Sequence, residues 1–195
     1  SKTPVIDRRV RALVLVAVFW AACLAGPGPA LGADAIEVRA AHIERSAAGD
    51  GWSVSADFQL PLPARQEDAI NRGVPLYFTI DFELIRPRWY WWNEKIAQAS
   101  RTYRLSYHAL TRQYRLGLDA TVRSFESLGE ALDALSRLRG WQVLEAGQVE
   151  PKVEYEARLR MRLDTSLLPM PFQVGTIANR DWTLQAEWKR IRFEP

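Results

Sequence analysis

Residues 152–163 constrain the fold more than any other stretch. Val153, Tyr155, Ala157, Leu159, Met161 and Leu163 alternate with Lys152, Glu154, Glu156, Arg158, Arg160 and Arg162. Side chains of an extended strand point alternately to opposite faces, so this segment has one apolar and one charged face as a strand and no clean face as a helix. A slip of one residue would exchange the faces, which pins its register. The alternation predicts that Leu159→Asp unfolds the domain and that Arg160→Asp is tolerated. Strands wet on one face suit antiparallel sheets, whereas strands of covered parallel sheets read as continuous apolar runs.

The same period recurs along the chain. Trp52, Val54, Ala56, Phe58 and Leu60 alternate with polar residues after Gly49-Asp50-Gly51, which makes a hairpin with residues 36–43. Further strands are expected at Leu76–Leu84, Tyr103–Ala109, Tyr114–Leu118 and Trp182–Trp188. Two helices interrupt them. Pro63–Asn71 has proline at its start and Gly73 as a left-handed stop. Ser127-Leu128-Gly129-Glu130 is a capping-box pattern, followed by an apolar stripe at Leu128, Leu132, Leu135 and Leu138, with Arg137 and Arg139 near the negative end. The expected fold is mainly β, an antiparallel β-sandwich-like domain with two short helices, occupying residues 34–195 as one unit.

Residues 1–33 read as a signal peptide region. Arg8, Arg9 and Arg11 precede an uncharged Ala12–Ala25 run, shorter than the roughly 20 apolar residues of a bilayer span. Gly26-Pro27-Gly28-Pro29 then breaks any helix, and small residues at Ala30, Gly32, Ala33 and Ala35 place cleavage between about residues 32 and 35. A retained N-terminal anchor is the alternative. Trp20-Ala21-Ala22-Cys23 is a poor lipoprotein box, since tryptophan stands where leucine is usual. Of 26 basic and 23 acidic residues, this leader holds four (Lys2, Arg8, Arg9, Arg11) and one (Asp7), so the remainder is balanced. No basic field is evident for nucleic acid, and the single cysteine, Cys23, leaves with the leader. The domain must stand on its apolar core.

Arg86-Pro87-Arg88-Trp89-Tyr90-Trp91-Trp92 concentrates four aromatic rings behind two guanidinium groups. In an extended chain Trp89 and Trp91 face one way and Tyr90 and Trp92 the other. One reading buries both pairs. The other leaves Tyr90 and Trp92 outward beside Arg86 and Arg88, a composition that carries binding energy at interfaces. This block, with Asn71–Phe78, Ser100–Tyr114 and Leu163–Pro169, resembles the hallmark segments of an exported proteobacterial family, domain of unknown function 4390. The likeness spans nearly all of residues 34–195. It implies an exported protein of Gram-negative bacteria, often encoded near a nitrogen-regulation-type sensor kinase, and carries over no catalytic or binding residues.

The chemistry-bearing residues are sparse. His42 and His108 have no metal-ligand spacing, and no nucleophile elbow, phosphate loop or zinc-protease helix is present, so neither metal nor cofactor is expected. Triads and carboxylate pairs assembled from distant residues stay open. Asp164-Thr165-Ser166 reads as a turn nucleated by the Asp164 carboxylate, followed either by a loop folded on the core or by a partner-binding tip of Leu167, Leu168, Met170 and Phe172. The resulting expectation is a periplasmic or secreted interaction protein without catalysis. It binds a protein partner, for example a membrane sensor kinase, through Arg86, Arg88, Tyr90 and Trp92. The alternatives are a cell-wall glycan-binding or glycan-acting protein, favoured by a carboxylate pair beside Trp91, and contact of the aromatics with a membrane surface.

Overall fold

The computed structural model is described for residues 35–47, 49, 51–88, 92–169 and 182–195. The leader, Trp89–Trp91, Met170 and Phe172 lie outside the described residues. Nine strands and two α-helices follow in order among those described: β1 (Glu37–Arg45), β2 (Gly51–Gln59), α1 (Ala64–Asn71), β3 (Leu76–Arg86), β4 (Glu94–His108), β5 (Gln113–Leu118), β6 (Thr121–Phe125), α2 (Leu128–Leu135), β7 (Arg137–Glu145), β8 (Tyr155–Leu163) and β9 (Lys189–Phe193), with a 3-10 turn at Thr165–Leu167. A three-stranded sheet of order β1-β2-β7 faces a six-stranded sheet of order β6-β5-β4-β3-β8-β9, and every pairing is antiparallel. The fold is therefore mainly β, two antiparallel sheets with two helices, as the alternation predicts, and neither sheet closes into a barrel.

β8 shows why the pattern is so legible. Tyr155, Ala157, Leu159, Met161 and Leu163 are buried while the intervening charged residues keep contact with water. Leu159 pairs with Phe82 and Met161 with Ile80 of β3, and these side chains form the centre of the core. On the second face of β3, Thr79, Asp81 and Ile85 are also buried, and side chains of the flanking strands reach over it, Thr102 and Ser100 from β4 and Arg160 and Arg162 from β8. Burying the Asp81 carboxylate requires donors. Ser100 Oγ donates to it at 3.0 Å, and the Nε atoms of Arg160 and Arg162 donate at 3.1 Å each. Arg160 also lies 4.3 Å from the ring centroid of Trp188. This corrects the expectation for Arg160→Asp: the charged face of β8 is an ion-pair layer and not a free surface, so reversing that charge sets two carboxylates together.

Both helices start and stop as their sequences dictate. Pro63 precedes α1, and Gly73, at φ 87°, ends it with its N–H donating to the Ile70 carbonyl at 2.9 Å. Ser127 Oγ accepts from the Glu130 N–H at 3.2 Å, and the Glu130 carboxylate reaches back to the Glu126 N–H, one residue earlier than a strict capping box. The apolar stripe stops at Leu135, however. Leu138, Arg137 and Arg139 belong to β7, where Leu138, Trp141 and Leu144 are buried at a spacing of three. Two register shifts against β2 produce that spacing, with Gly140 at φ 57° in one of them. The Gly140 N–H, displaced from the ladder, donates to Ser55 Oγ at 3.1 Å. Residues 182–188 also differ in detail from expectation. Trp182, Leu184 and Ala186 are buried in alternation and bond to β8 through Leu163 N–H to Leu184 O and Ala186 N–H to Met161 O, but the regular strand is the following Lys189–Phe193.

Candidate functional site

The aromatic run is the connection of the β3–β4 hairpin, which closes at Arg86 opposite Glu94. Trp92, the last of its rings, is 83% exposed. An indole held that far in water is unusual for so large an apolar group, and packing among the described residues does not explain it. Arg86 and Arg88 engage carboxylates: Arg86 Nη1 donates to Glu150 at 3.2 Å, and Arg88 pairs with Glu94. Arg88 N–H also lies 3.5 Å from the Asn93 side-chain oxygen. Of the four residues singled out by sequence, three are thus placed at the hairpin end and Tyr90 lies outside the described residues.

The strand that leaves this loop has a bare side. β4 pairs with β3 from Glu94 to Leu105, but β5 joins it only from Tyr103 onward, so among the described residues 94–102 have no neighbouring strand on the outer side. Lys95 and a bulge at Ile96, where the register against Leu84 and Ile85 shifts, guard its start. Beyond them Ala97 to Thr102 presents unpaired backbone with small or polar side chains.

Acid and base candidates are engaged in structure. His42 lies on β1 near Glu44, and His108 at the end of β4 bonds the Thr111 hydroxyl at 3.0 Å. Among the described residues no three His, Cys, Asp or Glu side chains gather closely enough to hold a metal ion. Burial works to raise the Asp164 pKa, but hydrogen bonds from Ser166 and Arg162 and the Arg162 charge outweigh it, so the carboxyl sits below its ordinary value. It accepts the Ser166 N–H at 3.2 Å and thereby nucleates the expected turn. Of the apolar tip expected beyond it, Leu167 is exposed and Leu168 is buried. The Tyr114 hydroxyl donates to Asn71 at 2.7 Å and is held above its usual pKa, first by burial and then by Tyr107 and Glu67.

Sequence reasoning missed two side chains. Arg101 and Arg123 stand on the inner face of the six-stranded sheet, in register with Ile80 and Leu116. The available signal is their phase, since Arg101 falls in step with Tyr103 and Leu105. Many of the other arginines of β8 and β9 lie on the outer face, where Arg158 pairs with Glu156 and Arg162 with Asp81 and Asp164.

Comparison with known proteins supplies a family. A family model described as domain of unknown function (DUF4390) matches residues 33–192, and the chain belongs to that family. No curated protein and no solved structure matches the chain.

Proposed function

We propose that the chain is an exported accessory protein of Gram-negative proteobacteria that binds a protein partner at the β3–β4 hairpin and performs no catalysis. The observation that carries this reading is Trp92, exposed at the mouth of a strand that, over residues 94–102, has no outer neighbour among the described residues. An extended partner segment adds to such an edge through main-chain hydrogen bonds, and a neighbouring indole supplies an anchor of the kind that dominates interface energetics. Arg86 and Arg88, each holding a carboxylate, set the rim. A periplasmic segment of a membrane sensor kinase is the first candidate partner. A glycan-acting site would want a free carboxylate pair beside the rings, whereas Glu94 and Glu150 are each held by an arginine. Among the described residues no helix is long and apolar enough to cross a membrane.

The test is crosslinking of the full chain in the periplasm, read by mass spectrometry, with Trp92→Ala beside it. The variant is expected to unfold within about 0.5 kcal/mol of the parent, as exposed positions do, and to lose the captured partner. Undiminished capture by Trp92→Ala, or a stability loss of core size, would remove the case for this surface.

A further inference from the structure

The three-stranded sheet is too narrow to cover all six strands opposite it. α2 packs on β5 and β6, and between α2, β7 and the β4–β5–β6 wing an open groove of about 820 Å3 remains. Small-molecule sites are of this size. Its floor is the inner face of the wing, where Tyr103 pairs with Leu118 and Leu118 with Thr121, and Leu116 and Phe125 continue the apolar surface.

Its walls are basic in an unusual way. Arg101, Arg123, Arg137 and Arg139 line the groove against two carboxylates, Glu130 and Asp133. Arg139 is occupied, donating to the Ala56 carbonyl at 2.8 Å and pairing with Asp57. The side chains of the other three make no ion pair or hydrogen bond among the described residues. The Arg101 guanidinium lies over the buried Trp141, 5.1 Å from the ring centroid, and that of Arg123 over Phe125 at 5.2 Å. Stacking satisfies the face of a guanidinium and leaves its in-plane N–H donors unused, pre-oriented for a planar or tetrahedral oxyanion. Arg101 is the less exposed of the two and sits at the end of the groove nearest the bare part of β4. On the outer face Arg158, Arg160 and Arg162, by contrast, are held by carboxylates.

We propose that this groove binds a free single-chain lipid anion, with its carboxylate or phosphate head on Arg101 and its acyl chain along Tyr103, Leu118 and Leu116. Arg123 and Arg137 add to the local positive potential that draws the head in. The proposal goes beyond partner binding at the hairpin: it uses none of Arg86, Arg88 and Trp92, and shares only β4, on which Arg101 lies within the bare stretch.

Dodecanoate titrated calorimetrically into the full chain, below its micelle-forming concentration, tests it. Binding is expected for dodecanoate and dodecyl phosphate, and to be at least about tenfold weaker for inorganic phosphate, for neutral dodecyl maltoside and in Arg101→Gln, as loss of a charge-assisted hydrogen bond implies. Arg101→Lys, which keeps the charge and loses the planar fork, should restore only part of it, and Arg192→Gln on the outer sheet face should leave it unchanged. Equal binding of the neutral chain or of phosphate alone, unaltered binding by Arg101→Gln, or binding only to phosphatidylglycerol vesicles would overturn the proposal. A diazirine-bearing fatty acid photolysed on the unaltered chain needs no variant to fold: labelling of peptides within residues 101–125 supports the site, and labelling confined elsewhere refutes it.

Discussion

Removing the Asp81 carboxylate tests whether the outer layer of the six-stranded sheet is held together by charge. Asp81 retains 12% side-chain exposure and accepts from Ser100, Arg160 and Arg162. Hydrogen bonds to a charged group contribute about 1.5–3 kcal/mol each when well shielded, and exposed ion pairs only about 0.2–1 kcal/mol. The two arginine side chains keep 29% and 30% exposure, so each pair belongs near the lower of these ranges, at about 1 kcal/mol, and the serine adds about as much. Asp81→Ala is thus expected to cost about 3 kcal/mol, which in a domain of this size lowers the melting temperature by roughly 6–12 °C. Arg160→Ala should cost about 1–2 kcal/mol, because its stack on Trp188 is lost with the ion pair, and the double variant should recover about 1 kcal/mol of coupling. Arg162 is less dependent on Asp81, since it also donates to Asp164 at 2.8 Å. Urea unfolding of the four chains, with slopes compared to guard against changes in the denatured state, gives the cycle. A loss at Asp81→Ala within 0.5 kcal/mol, or zero coupling to Arg160, would show that the layer is neutralised by solvent and that the reasoning is wrong.

Asp164, whose folded pKa is depressed, should contribute stability that is fully present above its unfolded value of about 4 and is lost as pH falls through the lower folded value. Asp164→Asn is accordingly expected to be about 1–2 kcal/mol less stable than the parent at pH 7 and indistinguishable from it in strong acid, measured by urea unfolding across pH. A gap independent of pH would exclude the ion pair as its source. Gly51, at φ 130°, would place a Cβ 2.1 Å from the Leu144 carbonyl oxygen, so Gly51→Ala should break the β2–β7 pairing and cost well over 2 kcal/mol by thermal unfolding. Gly140→Ala meets no atom and should cost only about 1–2 kcal/mol from its left-handed backbone. Equal losses at the two positions would show that strain, not collision, governs both.

Where the chain follows a period of two, its structure could be read directly: β2, β3, β5 and β8 and the start of both helices came from alternation, caps and prolines. The failures have identifiable causes. β7 hides because its bulges convert alternation into Leu138-Trp141-Leu144, a spacing that continues the stripe of α2. β6 hides because an edge strand with only Phe125 partly buried has no apolar period. The first half of β4 carries Ala97, Gln98, Ala99 and Ser100, too small and too similar to define faces, and its pairing is set by β3. The exposure of Trp92 was legible from its place in the aromatic run. The groove was not, because Arg101, Arg123 and Arg137 meet only through a strand order that no local pattern encodes.

That order also sets a timetable. β3 has one neighbour supplied by its own hairpin, Arg86 opposite Glu94, and another, β8, whose Arg160 reaches Asp81 from 79 residues away. The hairpin closes a short loop at small entropic cost, whereas β8 must return across β4, β5, β6, α2 and β7 before its alternating face finds Phe82 and Ile80. Until it does, one flank of the most apolar strand in the chain is unpaired. Such non-local closure belongs to slow, millisecond-to-second folding, and during that interval β3 is the surface a nascent chain has to keep from its neighbours.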